Sequence, residues 1–249
     1  MTRPVTRPVM RQVTRLVMGS IVPSSNAVVE RTLAALVPLF PGLDSCVARI
    51  PYHGAGLGQP QDGYGRDSFR TAATLLGHAG PGVVCWNGTR GAALGLAHDR
   101  ALCVELAEAA GCPATTAALA TLRLLDRLGA RRIAIVTPGD AAGARAAAAG
   151  LGRELVGVRA MALTDNAAAA AVPPEQIAGL ARDVAAEVRP EAILLWSTNL
   201  FGLPVMAPVE AETGIPVIDS ASAGLWGGLD ALGLDPTPAA GLGRLFSLR

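Results

Sequence analysis

Small polar side chains follow three predicted strands, at the point where each strand ends. The strands are predicted over 16–22, 83–86 and 193–196, because each is a short apolar run bounded by turn residues. The side chains that follow them are Ser24, Ser25, Asn26, Thr89, Ser197, Thr198 and Asn199. In open α/β sheets, ligands bind beyond the carboxyl ends of the strands, where hydroxyl and helix N-terminal N–H groups hold anions. The pattern predicts a site for a carboxylate or a developing oxyanion, although the same residues also fit ordinary helix caps.

Two of these turns share one pattern, in which a strand ends in tryptophan and a small polar turn follows. The first turn is Trp86-Asn87-Gly88-Thr89 and the second begins Trp196-Ser197. This likeness predicts two related half-domains that face one cleft. Each tryptophan is expected to pack in the core or to form a wall of the ligand pocket.

The composition excludes several classes of function. Of the 249 residues 51% are apolar and 16% charged, which is typical of a globular protein and not of a disordered one. The formal net charge of +1 gives no reason to expect nucleic acid or a membrane as partner. No apolar run reaches the roughly 18 residues of a membrane span. The sequence has no lysine, which excludes Schiff-base chemistry and the usual pyridoxal phosphate linkage.

The cysteines and histidines show no metal-binding spacing. Cys46, Cys85, Cys103 and Cys112 form no C-x-x-C pair, and the three histidines are scattered. Buried thiols are therefore expected, in a reduced, cytoplasmic protein without signal peptide, metal or organic cofactor. The expected partner is a small carboxylate, and the sequence is compatible with both a monomer and a homo-oligomer.

Strand and helix patterns alternate along the chain, which predicts an α/β fold of parallel sheets covered by helices. The first lobe is predicted over 15–113 and the second, which opens with a helix over 115–128, over 114–219. A last helix over 220–232 is expected to cross back, so that 220–249 joins the first lobe. Residues 1–14, an Arg- and Pro-containing repeat, are predicted to be a mobile tail. The Gly-rich segment 52–66 is predicted to be a binding loop.

Common catalytic motifs are missing from the sequence. It contains no G-x-G-x-x-G, no phosphate-binding loop, no G-x-S-x-G and no H-E-x-x-H. Ser197 has no histidine partner that the spacing reveals. Asp99 and Asp140 could be bases, yet each fits a helix cap better.

Three stretches resemble a known family. Val-Pro-Ser-Ser-Asn at 22–26, with Glu30 after it, resembles the opening of maleate cis–trans isomerases. Residues 129–138 are similar to the start of their second lobe, and 209–217 to the segment after their second catalytic turn. The resemblance extends to arylmalonate decarboxylases, in the wider aspartate/glutamate racemase superfamily, and covers 15–246. It implies two flavodoxin-like lobes related by a pseudo-twofold axis, with the active site in the cleft between them.

The sequence also departs from the family that it resembles, because it lacks the cysteines that relatives carry at the two turns. Racemases and isomerases of this superfamily carry one cysteine at each turn, and the matching positions here are Gly88 and Ser197. Arylmalonate decarboxylases keep only the second cysteine, so Gly88-Thr89 resembles their first turn. A serine hydroxyl is a far weaker acid than a thiol with a pKa of about 8.5, so two-base racemisation is not expected. Cys85 is expected to be buried, with a substitute thiol from that strand as the alternative.

The resemblance implies further site residues. Gly63-Tyr64 matches a ligand-loop tyrosine of the decarboxylases, whereas Gly139 replaces a tyrosine that often follows the second-lobe Thr-Pro. Catalytic roles are expected at Gly88, Thr89 and Ser197. Substrate-binding roles are expected at Ser25, Asn26, Tyr64, Trp86, Trp196, Thr198 and Asn199.

These residues predict a cofactor-independent lyase or isomerase that acts on a small carboxylate through an enolate-like or oxyanionic transition state. Two alternatives stay open. One is a catalytically silent relative that binds a carboxylate. The other is a hydrolase or cyclase that uses Ser197 with a base such as His53.

Overall fold

Two parallel sheets of four strands each form the framework of the protein. The computed structural model describes residues 15–52 and 64–248. The predicted tail 1–14, His53, Gly63 and most of the predicted binding loop lie outside the described residues. The predicted α/β fold with two parallel sheets is confirmed.

The first sheet contains the strands from the first half of the chain. Its order is β2-β1-β3-β4, with β1 at Leu16–Pro23, β2 at Leu43–Ile50, β3 at Val83–Trp86 and β4 at Ala114–Thr116. β1 and β3 are central, and all four residues of β3 are buried. A strand covered on both faces reads as a continuous apolar run, which is why this one could be located from the sequence.

The second sheet repeats the arrangement with the second half of the chain. Its order is β6-β5-β7-β8, with β5 at Arg132–Thr137, β6 at Glu154–Ala160, β7 at Ala192–Leu195 and β8 at Val217–Asp219. In both sheets the first strand pairs with the second and third, and the third pairs with the fourth. The turns after β1, β3 and β7 therefore lie at the carboxyl edges of the two sheets, where the sequence predicted a site.

Ten α-helices connect the strands in the described part of the chain. They are α1 Val28–Leu36, α2 Arg66–Gly77, α3 Arg90–Leu94, α4 Leu96–Ala110, α5 Ala117–Leu128, α6 Ala141–Gly150, α7 Asn166–Ala170, α8 Pro174–Val188, α9 Leu203–Thr213 and α10 Ser220–Ala231. Short 3-10 turns follow at Val37–Leu39, Thr237–Leu242 and Arg244–Ser247. Within 15–52 and 64–248, no helix is both long and apolar enough to cross a membrane.

The structure corrects the first helix that was predicted for the second lobe. A helix is predicted over 115–128, but Ala114–Thr116 is strand β4 and pairs with β3, so the helix begins only at Ala117. The Thr116 hydroxyl accepts the Leu119 N–H at 3.1 Å and caps the helix. The first sheet thus continues past the predicted boundary at residue 113, and the division into lobes stays a prediction.

The last helix, α10, packs against strands of the first sheet and against α5. Its Trp226 is fully buried, and the indole N–H donates to the Leu248 carbonyl at 3.0 Å. The Arg127 guanidinium lies 4.7 Å from the centre of the same ring. These contacts hold the C-terminal segment against α5 and the first sheet.

The two halves of the chain also meet where α3 packs against α6. Gly150, the last residue of α6, lies against the Ala92 carbonyl, and a Cβ at Gly150 would overlap that oxygen. The two helix backbones can approach this closely because position 150 has no side chain.

Candidate active site

The three polar turns meet at the hydroxyl of Thr198. This hydroxyl donates to the Asn87 carbonyl at 3.0 Å and accepts from the Asn26 side-chain amide at 3.0 Å. Asn26, Asn87 and Thr198 are all at most 5% exposed, so both bonds are shielded from water. The ends of β1, β3 and β7 are therefore joined, although they are distant in the chain.

Asn199 makes a second set of bonds beside the first. Its side-chain oxygen accepts the Ala27 N–H at 3.3 Å, and its amide donates to the Asn166 carbonyl at 2.7 Å. The Asn166 amide in turn donates to the Ser25 hydroxyl at 2.8 Å. Hydrogen bonds to other parts of the chain thus occupy four of the predicted binding residues: Ser25, Asn26, Thr198 and Asn199.

A cavity of about 760 Å³ opens next to this network, between the two sheets. Its described lining includes Thr89 from the first turn, and Trp196 and Ser197, which follow the end of β7 at Leu195. Tyr52, Arg90 and Asn166 also line it, together with segments at 137–140 and 162–165. Of the predicted site residues, Thr89, Trp196 and Ser197 belong to this described lining. Gly88 and the other predicted residues are not part of that described lining.

Ser197 is placed to donate a hydrogen bond into the cavity. Its Oγ accepts the Asn199 N–H at 3.1 Å, which orients the oxygen and leaves its proton available. Among residues 15–52 and 64–248, no carboxylate or imidazole accepts a hydrogen bond from this hydroxyl. Such a serine suits oxyanion stabilisation better than nucleophilic attack.

Trp86, which is buried, and Tyr64, which is partly buried, belong to one aromatic cluster. The Trp86 ring lies 4.8 Å from Phe69 and 4.9 Å from Tyr64, both edge to face. Burial, together with Tyr52, raises the pKa of Tyr64 well above its usual value, and Arg90 only partly opposes this. Tyr64 is therefore neutral at ordinary pH, and Trp86 forms part of the core.

The four cysteines lie away from the described lining of the cavity. The Cys85 thiol donates to the Gly224 carbonyl of α10 at 3.4 Å, and burial raises its pKa. Burial also raises the pKa of Cys103 to about 12 and moves those of Cys46 and Cys112 upward. None of them is a thiolate near neutral pH, and Cys85 points into the core and not toward Ser197.

Comparisons with known proteins show the family of this chain. The arylmalonate decarboxylase family matches residues 48–246. The chain belongs to that family. It is 34% identical to the arylmalonate decarboxylase of Bordetella bronchiseptica over 241 residues, which cover 92% of this chain and 95% of the relative.

Maleate isomerases are also similar to this member of the arylmalonate decarboxylase family. The enzyme of Nocardia farcinica is 28% identical over 243 residues, covering 92% of this chain and 94% of the relative. A solved structure of the Nocardia farcinica maleate cis–trans isomerase, a cysteine-to-serine mutant with a covalently bound succinylcysteine intermediate, superposes with a TM-score of 0.80 at 26% identity. It covers 93% of this chain and 98% of that one. The predicted superfamily is confirmed, and its lyases and isomerases support an enzyme of this family.

Three lining residues of this family member were missed by the sequence reasoning. Arg90 directly follows Thr89 in the predicted turn and could have been noticed, because a guanidinium beside a hydroxyl is a common carboxylate site. Tyr52 begins the predicted loop and donates its N–H to the Ser24 hydroxyl at 3.0 Å. Asn166 opens α7, a five-residue helix without a sequence period, so no signal pointed to it.

Proposed function

We propose that this protein is an enzyme that acts on a small carboxylate by lyase- or isomerase-type chemistry, with no metal or organic cofactor. The observation that carries the proposal is that the Thr89 and Ser197 turns, joined through the bond from Thr198 to Asn87, open onto one cavity. The sequence relation to a decarboxylase and to maleate isomerases supports it. The reaction would pass through an enolate-like or oxyanionic transition state.

In a decarboxylation, the bond between the α-carbon and one carboxylate breaks, and carbon dioxide leaves. The electron pair of that bond moves into the remaining carboxyl group, and the α-carbon then takes up a proton. The hydroxyls of Thr89 and Ser197, with backbone N–H groups at the turns, would stabilise the growing negative charge on oxygen. Arg90 would add positive charge at the same end of the cavity.

The buried amides would act by position and not by contact with the reacting atoms. Asn26 and Asn199 each hold two turns, and Asn26 also accepts the Val29 N–H at 3.0 Å at the start of α1. Because hydroxyl donors stabilise an oxyanion only when they are already oriented, these bonds would keep Ser197 and Thr89 in place. This positioning role replaces the direct substrate contact predicted for Asn26 and Thr198.

Proton delivery is the step in which serine differs most from cysteine. The Ser197 hydroxyl is a weak acid and has no described base beside it. It would therefore donate its proton to the α-carbon slowly, or relay a proton that comes from water. The proposal therefore expects low turnover in the natural chain. The same observation favours a second candidate, a carboxylate-binding relative without turnover.

The test replaces Ser197 and measures turnover on arylmalonates and on maleate, the substrate types named for the relatives. Ser197→Ala should lower turnover at least about tenfold while leaving carboxylate affinity within about threefold. Ser197→Cys should raise turnover, because a thiol is the stronger acid. Ser68→Ala, on α2 and outside the cavity lining, is the matched control and should behave as the natural chain.

Two results would decide against the enzyme. Binding of carboxylates without turnover in the natural chain and in Ser197→Cys would favour the binding protein. Trapping of an acyl group on Ser197 by an activated ester, dependent on His53, would favour the hydrolase or cyclase.

A further inference from the structure

Gly88 has no space for a side chain. A Cβ built on Gly88 would lie 2.5 Å from Nε1 of the Trp86 indole and closer still to Cε2 and Cζ2. Real Cβ atoms essentially never approach another heavy atom closer than 3.0 Å. The indole therefore occupies the volume that any side chain at position 88 would need.

The Trp86 ring cannot easily move away. Trp86 is 2% exposed and ends β3, where its backbone pairs with Ile21 on one side and Thr116 on the other. Phe69 and Tyr64 pack edge-on against the ring. Because protein cores are closely packed, a displaced indole would press on these neighbours and strain them.

We infer that Trp86 is a specificity-determining residue, whose indole keeps the first turn without a side chain and so limits the site to proton transfer from the Ser197 side. This inference rests on the proposed function. A reaction that needs an acid–base group on each face of a carbon requires a second side chain besides Ser197. Position 88 is where the first turn could supply it, between Asn87, which bonds to Thr198, and Thr89, which lines the cavity, but the Trp86 indole fills that volume. Chemistry that delivers one proton to one face, as in a decarboxylation, needs no such group.

A double-mutant cycle tests the steric part without any substrate. Gly88→Ala should lower the thermal midpoint of the natural chain by several degrees, about 2–4 °C for each kcal/mol lost. In a Trp86→Leu background the same change should cost less than about half as much. Gly139→Ala is the matched control, because Gly139 lines the same cavity and a Cβ there meets only the Thr137 hydroxyl at 3.5 Å.

Maleate tests the chemical part. In a chain that carries both Gly88→Cys and Ser197→Cys, conversion of maleate to its trans isomer should be slow, and adding Trp86→Leu should raise the rate at least about tenfold. If Trp86→Leu does not fold, Trp86→Phe, which removes only part of the ring system, takes its place in both arms.

Three results would overturn the inference. They are equal tolerance of Gly88→Ala and Gly139→Ala, a Gly88→Ala penalty that is unchanged when Trp86 is replaced, and a folded triple variant with no gain on maleate. Failure of the proposed function is distinguishable, because it would leave the stability cycle intact while Ser197→Cys gained no turnover.

Discussion

At the scale of single residues, hydrogen bonds to Ser197 and Asp219 order the carboxyl edge of the second sheet. Ser197 receives the Asn199 N–H and keeps its own proton for a ligand. Asp219, at the end of β8, is fully buried and accepts both the Ser222 N–H at 2.9 Å and the Ser222 hydroxyl at 2.6 Å. Its Oδ1 lies against Gly202, in the chain segment that leaves the Ser197 turn.

Asp219 makes stability depend on pH. Burial raises its pKa from an ordinary value near 3.8 to about 6, although the bonds from Ser222 oppose the shift. The folded protein therefore binds this proton more tightly than the unfolded chain, and the stability it gives is present below pH 4 and lost as pH rises toward 6. The expected loss is about 3 kcal/mol in the free energy of unfolding, from two pKa units at about 1.4 kcal/mol each.

Urea unfolding between pH 4 and 7 checks this expectation. Asp219→Asn should flatten the slope between pH 4 and 6, whatever its effect on absolute stability. Asp183→Asn, which removes an exposed carboxyl on α8, controls for the loss of one carboxylate. An unchanged slope in Asp219→Asn would show that this carboxyl does not titrate in that range.

The cavity also shows where sequence reasoning stops at the residue scale. Thr89 and Ser197 could be predicted because they follow apolar strands that are easily recognised. The contact between the Trp86 indole and Gly88 could not, because it depends on the rotamer that Phe69 and Tyr64 impose on Trp86. The bonds that occupy Asn26 and Asn199 depend on tertiary neighbours more than 170 positions away along the chain.

At the scale of elements, turns at strand ends and short helices build the site. Strand β3 was predicted with its observed bounds, because a four-residue apolar run between turns is too short for a helix and is typical of a buried strand. Strand β4 was missed because its three residues run directly into α5, and only pairing with β3 makes them a strand. The five-residue helices α3 and α7, which supply Arg90 and Asn166, are too short to show a helical period.

The joined turns predict a large cost for Thr198→Val. Valine has the same shape but leaves the Asn26 amide without its acceptor and the Asn87 carbonyl without its donor, in a buried place. Two such unsatisfied groups should cost about 2–4 kcal/mol in the free energy of unfolding. Carboxylate binding should weaken as well, because Ser197 is the neighbouring residue.

Thr121→Val is the matched control for that measurement in urea. The Thr121 hydroxyl is equally buried and donates at 2.8 Å to the Ala117 carbonyl, within α5. Because that carbonyl also takes a helix N–H, its loss should cost about 0.5–1.5 kcal/mol. Equal losses in the free energy of unfolding for the two variants would mean that the hydrogen bonds between turns stabilise the protein no more than an ordinary bond within a helix.

At the scale of the whole molecule, the cleft has a closely packed wall. Helices α3 and α6 both line the cavity and also pack against each other, with Gly150 on the Ala92 carbonyl. The two halves of the chain are thus joined at two places, by this helix contact and by the hydrogen bonds among the three turns. The cleft should therefore behave as a pre-formed site and not as one that closes by large domain motion.

Gly150→Ala tests this packing. The new Cβ would overlap the Ala92 oxygen, a backbone atom that cannot rotate away, so α3 and α6 must separate. We expect a loss of about 2–4 kcal/mol in the free energy of unfolding and weaker carboxylate binding. Gly179→Ala is the control, since a Cβ on that α8 glycine meets nothing within 4 Å and should stabilise the helix by about 0.5–1 kcal/mol. Equal effects of the two changes would argue against a rigid wall.

The most direct test of the central claim is a crystal structure of the protein with phenylacetate, a carboxylate that has no second carboxyl group to lose. We expect one carboxylate oxygen of the ligand within about 3.2 Å of both the Ser197 and the Thr89 hydroxyls, in the cavity beside Arg90. A ligand bound elsewhere, for example in the groove between β2 and α2 that Cys46 and Leu75 line, would contradict it.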